Sequence, residues 1–225
     1  MLELYQVNDQ QREDLLQLAR DARQKETKWH EYGDIPDVRD FIRLEDAAES
    51  LYVYELLLVP GLLQTAEYTR LILRANYPDL RQQEIERYVQ LRKVRQSILS
   101  REDPPMLQAL IDEAALHRLV GTPQFASKQL QGLIDSCRMP NLSFQVLPFG
   151  VGVHAGMVSP FTILRFPDRA DPDVVHLEHS AGDLYLTSAS QVQRYWIRLK
   201  RLQAMALTPC DSTALLRDLL RRSQA

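Results

Sequence analysis

Only two cysteines, Cys137 and Cys210, occur in the 225 residues, far apart and with no CxxC or histidine-rich surroundings. Neither a zinc finger nor a disulfide framework can be read from them, and reduced structural thiols are expected. The pattern GxxxxGK[ST] is absent, as is GxGxxG, and the one Gly-dense stretch, Gly150 to Gly156, does not stand between a buried strand and a helix start. That excludes the common phosphate-cradling loops. No HxxxH, HExxH or GxSxG occurs, so zincin chemistry and a nucleophile elbow have no support. Met1 to Gln11 is polar and lacks the apolar run of a signal peptide. No stretch approaches the ~20 apolar residues of a membrane span, so a cytoplasmic protein without membrane contact is expected. The net charge of −3 offers no cationic excess for coating a polyanion, and no direct nucleic-acid contact is expected.

What is present is an ordinary globular composition, 45% hydrophobic and 25% charged, enough for a real core. Asn8 or Asp9 caps a first amphipathic helix ending near Thr27. Trp29 to Pro36 forms a turn, and a second helix carries Phe41, Ile42 and Leu44 to about Glu49. Leu51 to Val59 is an aliphatic and aromatic run stopped by Pro60-Gly61 and is predicted as one buried strand. Thr65 caps a helix to Asn76, and a longer helix over about 81–100 carries Arg81, Arg87, Arg92, Lys93 and Arg95, read as a solvated face. A second strand runs from Met106 to Ile111 after Pro104-Pro105, the best candidate for an internal boundary. Thr122-Pro123 opens a further helix.

From Leu142 onward the texture changes to short strands over 142–149, 159–166, 173–178 and 183–186, separated by Gly, Pro and Asp turns. Ser188 or Ser190 then caps a long helix, and a last amphipathic helix covers Asp211 to Arg222. The pattern is α+β: helices at both ends packed on a mixed, largely antiparallel sheet. The expected organisation is connecting helices over 1–50, an α+β core over 51–209 and a C-terminal amphipathic helix over 210–225.

Two groups of residues could carry chemistry. His176 and Glu178 lie two apart on a strand and point to one face; with His179 nearby and His154 from the Gly-rich loop they allow a metal site, an acid/base pair or a metal-free surface pair, the last being favoured. Asp112-Glu113 closes a strand and opens a helix, where carboxylates serve either a site or a cap, and capping is favoured.

Several blocks, in order, resemble one family. They are Tyr54-Glu55-Leu56-Leu57-Leu58-Val59-Pro60-Gly61-Leu62-Leu63-Gln64-Thr65 with Tyr68; Ile111-Asp112-Glu113-Ala114-Ala115-Leu116; Asn141 to Phe149 with Gly152, His154 and Gly156; Pro160 to Phe166; and Val174 to Glu178 with Leu184-Tyr185-Leu186. Together they resemble the actinobacterial domain DUF5753, which in Streptomyces-type regulators follows an Xre-family helix-turn-helix. The resemblance spans roughly residues 1 to 207. It implies an antitoxin-like transcription regulator, often paired with a small DUF397-type protein.

With no helix-turn-helix in the sequence, this chain is expected to be the ligand- or partner-sensing effector domain and not the DNA reader. A cleft lined by Glu55, Gln64, His154 and Glu178 is the candidate ligand site, with no metal and no cofactor expected and a homodimer as the expected assembly. The alternative is an enzyme of natural-product biosynthesis derived from this domain, with His154, His176 and Glu178 as acid/base candidates and Asp112 and Glu113 next. A purely structural dimerisation domain, using the Leu215, Leu216, Leu219 and Leu220 stripe, is a third reading.

Overall fold

The computed structural model describes residues 39–121, 123–168, 170–179 and 182–224. The helix expected over 8–27 and the turn at Trp29 to Pro36 lie outside them. Contacts divide the chain after Arg39, and residues 40–225 form one unit.

In chain order this part consists of α1 (Arg39–Ala47), β1 (Ser50–Glu55), α2 (Ala66–Asn76), α3 (Gln82–Gln96), β2 (Met106–Asp112), α4 (Glu113–Val120), α5 (Pro123–Ser136), β3 (Leu142–Leu147), β4 (Phe161–Arg165), β5 (Val174–His179), β6 (Gly182–Leu186), α6 (Ala189–Met205) and α7 (Pro209–Gln224). Short 3-10 turns cover Gly61–Leu63, Ser97–Ser100 and Phe149–Val151. Local chemistry explains several boundaries. Thr65 caps α2, its side chain accepting from the Tyr68 amide at 3.3 Å, and Asp112 caps α4 by accepting from the Ala114 amide at 2.8 Å, as its residue type favours.

The first strand is shorter than its apolar run predicts. β1 ends at Glu55, and Leu57 and Leu58 are exposed in the bend that follows. The reason lies in the neighbours: β4 pairs with β1 only as far as Tyr54 opposite Phe161, and the residue before Phe161 is Pro160, which has no N–H to extend the ladder.

The six strands make one mixed sheet in the order β3-β2-β1-β4-β5-β6. β1 and β2, and β2 and β3, pair in parallel; the pairings β1–β4, β4–β5 and β5–β6 are antiparallel. With helices before and after the sheet, the class is α+β. Pro104-Pro105 separates nothing: β1 before it and β2 after it are adjacent strands of the same sheet.

Side-chain alternation splits the core into two layers. On one face Leu51, Val53, Leu107, Ala109, Ile111, Phe144, Val146 and Leu164 pack under α4, α5 and α7 with Ala115, Leu116, Leu130, Leu133, Leu216 and Leu219. Both crossovers that make β1, β2 and β3 parallel lie on this face, and α1 joins it through Ala48, Phe41 and Leu44. On the other face Tyr54, Leu110, Leu147, Phe161, Ile163 and Val175 pack under α6 through Val192, Leu199 and Leu202. The open edge of β3 is occupied by the α6–α7 junction: Leu207 N–H donates to Val146 O at 2.9 Å and the Val146 amide donates to Ser212 Oγ at 3.0 Å, which removes a free strand edge.

Candidate functional site

The chain leaves β1 toward β2 and β3 on one side and later returns to the other side as β4. In open sheets the gap beyond the carboxyl end of the strand where the order reverses is a natural crevice. Here that place is the end of β1, and it holds a group of charges. Continuing the register, by one residue beyond Tyr54–Phe161 and by two beyond Thr162–His176, puts Pro160 between Glu55 and Glu178. The two carboxylates stand on the same face, about 10 Å apart at Cα from two strand spacings.

The opposing wall comes from the Pro60-Gly61 turn and α3. Gln64 is buried, its Nε2 donating to Val59 O at 2.7 Å while its Oε1 accepts from Arg92 Nη1 at 2.8 Å and Thr69 Oγ1 at 3.3 Å. Arg92 lies directly over Gly61: a Cβ there would stand 2.8 Å from Nη1, so the glycine is a seat for the guanidinium. Burial lifts the Glu55 carboxyl to about 8, with the negative charge of Glu178 adding to the rise and Arg92 opposing it. Burial and the positive charge of Arg95 bring Arg92 down to about 10 against the pull of Glu178, Glu45 and Glu55. Among the described residues, neither Glu55 nor Glu178 makes a hydrogen bond or ion pair, and Arg92 makes one hydrogen bond. A carboxyl that stays protonated below about pH 8, the exposed Glu178 and the Arg92 guanidinium are thus gathered with few protein partners.

Beneath them the network is closed. Arg95 grips Glu45 with two hydrogen bonds of 2.8 and 2.9 Å; burial lowers the guanidinium's pKa, and the Glu45 carboxylate more than offsets it, leaving the group above its ordinary value. The Phe41 ring carries Arg95 on one contact, 5.4 Å from guanidinium carbon to centroid, and His176 on another, 4.2 Å between centroids. His176 is 6% exposed, with Tyr185 on its second side at 5.1 Å. Its Nε2 is 3.1 Å from Asp183 Oδ2 but off the axis for a hydrogen bond, and no hydrogen-bond partner for it is found among the described residues.

A second constellation sits at the same end of the sheet on the α6 face. Asp112 uses Oδ1 to cap α4 and sets Oδ2 3.2 Å from His154 Nε2, both side chains being nearly buried. His154 Nδ1 accepts the Gly156 amide at 3.2 Å, which assigns the ring proton to Nε2, facing Asp112. Gly156 rests on the Tyr54 phenol so closely that a Cβ would fall 2.4 Å from its oxygen. That hydroxyl is buried without a hydrogen-bond partner among the described residues, and burial, with the charges of Asp112 and Glu55, holds it above the ordinary tyrosine range. Glu113 points out from the same corner, accepting the Phe149 amide at 2.7 Å and facing His117 Nε2 at 3.1 Å.

The expected cleft residues therefore fall in two places. Glu55, Gln64 and Glu178 surround Arg92, whereas His154 pairs with Asp112 on the opposite face, because consecutive residues Tyr54 and Glu55 point opposite ways along β1. His176 shares its face with Glu178 as alternation requires, but it is a buried, ring-sandwiched histidine and not part of a surface pair. Asp112 is both a cap and a histidine partner. Among the described residues no group of three or more His, Cys, Asp or Glu side chains converges as for a metal, and both cysteines are free. Arg92 and Arg95 are the residues the sequence reading missed. Composition assigns them to a solvated face, yet Ile85, Tyr88, Arg92, Arg95 and Leu99 are spaced by three and four, the period of one helix stripe, so the arginines continue the apolar side of α3.

The fold is an α+β domain whose sheet order reverses beside a group of ionisable side chains, and the sequence places it in a family. Residues 38–218 match the family model described as Domain of unknown function (DUF5753), and the chain belongs to that family. No curated protein and no solved structure matches the chain. No helix among the described residues is long and apolar enough to cross a membrane.

Proposed function

We propose that the chain is a ligand- or partner-sensing effector domain of a transcription regulator, and that the cleft between Glu55, Glu178, Arg92 and Gln64 receives what it senses. One observation carries this reading: beside the exposed Glu178, the half-buried Glu55 has no hydrogen-bond or ion-pair partner among the described residues and the half-buried Arg92 has only Gln64, although polar groups withdrawn from water normally find partners. A polar ligand that supplies the missing partners gains contacts in one state only, which is what shifts a two-state equilibrium. Around the same end of the sheet Leu57, Leu58, Phe149, Val153, Met157 and Val158 are exposed, an apolar rim suited to a second subunit or a small protein partner. The biosynthetic-enzyme alternative has less support, since both ring nitrogens of His154 are already engaged and His176 is enclosed.

Native mass spectrometry of the protein purified directly from its host tests this reading. A co-purified organic molecule lost in Arg92→Gln, or a homodimer or small protein partner lost in Val158→Asp, is expected. A bare monomer, with no thermal shift across a library of polar metabolites, would discard it.

A further inference from the structure

We propose a second small-molecule site, separate from that cleft, in the groove between α6 and the sheet, for a planar aromatic carboxylate. The groove has a volume of about 650 Å³, within the usual range for small-molecule sites. Its wall is a preassembled stack. Tyr52 and Trp196 meet edge to face with centroids 4.6 Å apart, and the Arg165 guanidinium carbon lies 4.7 Å over the Trp196 ring.

Asp173 fixes this arrangement: Oδ1 accepts from Arg165 Nε at 3.2 Å, and Oδ2 accepts from Arg165 Nη2 at 3.1 Å and from the Trp196 indole N–H at 2.8 Å. The hydrogen bonds and charge of Asp173 hold Arg165 above its ordinary pKa, against burial. Among the described residues Asp173 is the groove's one carboxylate and is thereby consumed, while Arg165 Nη1 and Lys200 Nζ have no partner among them. Flat apolar walls beside two uncommitted cationic donors and no free anion complement a flat ring bearing a negative charge. Tyr52 faces away from Glu55 along β1, three residues on and on the opposite face, so this site is not an extension of the cleft. It stands whether or not the cleft binds anything.

The Trp196 indole N–H reports directly from the wall. Of the two tryptophans in the chain, Trp29 is identified by Trp29→Phe, leaving the other ¹H–¹⁵N indole signal to Trp196. Titration with 2-naphthoate is expected to move the Trp196 signal to saturation, with affinity about five times that for 2-naphthamide and higher still than for 2-naphthylmethylammonium. Lys200→Glu, at an exposed helix position, should weaken 2-naphthoate about tenfold, Lys200→Arg should retain it, and Glu55→Gln should leave it unchanged. No saturable shift, equal affinity for the amide and the carboxylate, or indifference to Lys200→Glu would overturn the assignment. A Trp196 signal that moves with protein concentration alone, and stops doing so in Ile197→Arg, would give the groove to a second copy of the chain and overturn it equally.

Discussion

The two halves of the sheet are built by different means. In β1, β2 and β3 the strands run parallel, so each link must cross over the sheet, and the crossing helices bury the strands: Leu107, Ile111 and Val146 are inaccessible. In β4, β5 and β6 the strands run antiparallel, the links are short and the cover thins outward, until β6 has no buried residue and Leu184 is 48% exposed. On the helix-rich face the contrast is chemical as well. The parallel half presents Leu, Ala, Ile, Val and Phe, while the antiparallel half adds Thr162, His176, Asp183 and Tyr185 to Leu164 and Val174. Parallel strands surrender their faces to packing and keep their chemistry at the strand ends; the antiparallel strands can carry polar groups along their length. The charge cluster forms where the two regimes meet, at the end of β1.

The comparison is broken most severely at the junction. Arg95→Leu should cost about 3–5 kcal/mol, because Glu45 is left buried without its cation, and urea unfolding will measure it. A loss below 1 kcal/mol would mean the pair is not holding α1 to α3.

Matched truncations come next. Leu107→Ala in β2 should cost about 3 kcal/mol as a fully buried leucine, and Leu184→Ala in β6 under about 0.5 kcal/mol. Equal losses would erase the distinction between the halves.

The comparison is also sharpened by pH. Unfolded, Glu55 ionises near its ordinary 4.5, whereas in the fold it holds its proton to about 8. The folded state therefore binds the extra proton between those values, and stability falls as pH rises through that window. Glu55→Gln should remove the decline, at most about 3.5 kcal/mol between about pH 5 and 8 and less by the share of Glu55 that solvent reaches, in unfolding curves at fixed salt. Identical pH slopes for both proteins would show that Glu55 is solvated.

Much of the fold was legible in the chain. Capping residues and turn chemistry located Thr65, Asp112, Pro123 and the α6 start to within a residue or two, and the strands over 142–186 appeared as expected. The parallel pairing of β1, β2 and β3 was harder to see, since a short apolar strand looks alike in either direction and only the crossover topology decides. The end of β1 was overrun because Leu56 to Val59 is as apolar as the strand itself; what stops pairing is Pro160, more than a hundred residues later. Gln64 and Glu178 stand at turn and strand-end positions in the sequence, Glu55 falls inside the overrun strand of the sequence reading, and Arg92 was hidden by a composition habit that assigns arginine to solvent, though its helical spacing marked it. The Tyr52–Trp196–Arg165 wall joins β1, β4 and α6 and has no local signature in any of them.

The segment from Pro148 to Pro160 leads from β3, at one edge, over the ends of β2 and β1 to β4. Three strand spacings are about 14 Å, while thirteen residues can reach about 43 Å when extended. The link is thus about three times longer than its errand requires, and the surplus is gathered by three stitches: Phe149 to Glu113, His154 to Asp112, and Gly156 against Tyr54. It is a slack rope tied down at intervals. Two of the three stitches end on the sheet itself, at Asp112 of β2 and Tyr54 of β1, so the rope is moored to the strand ends it passes over.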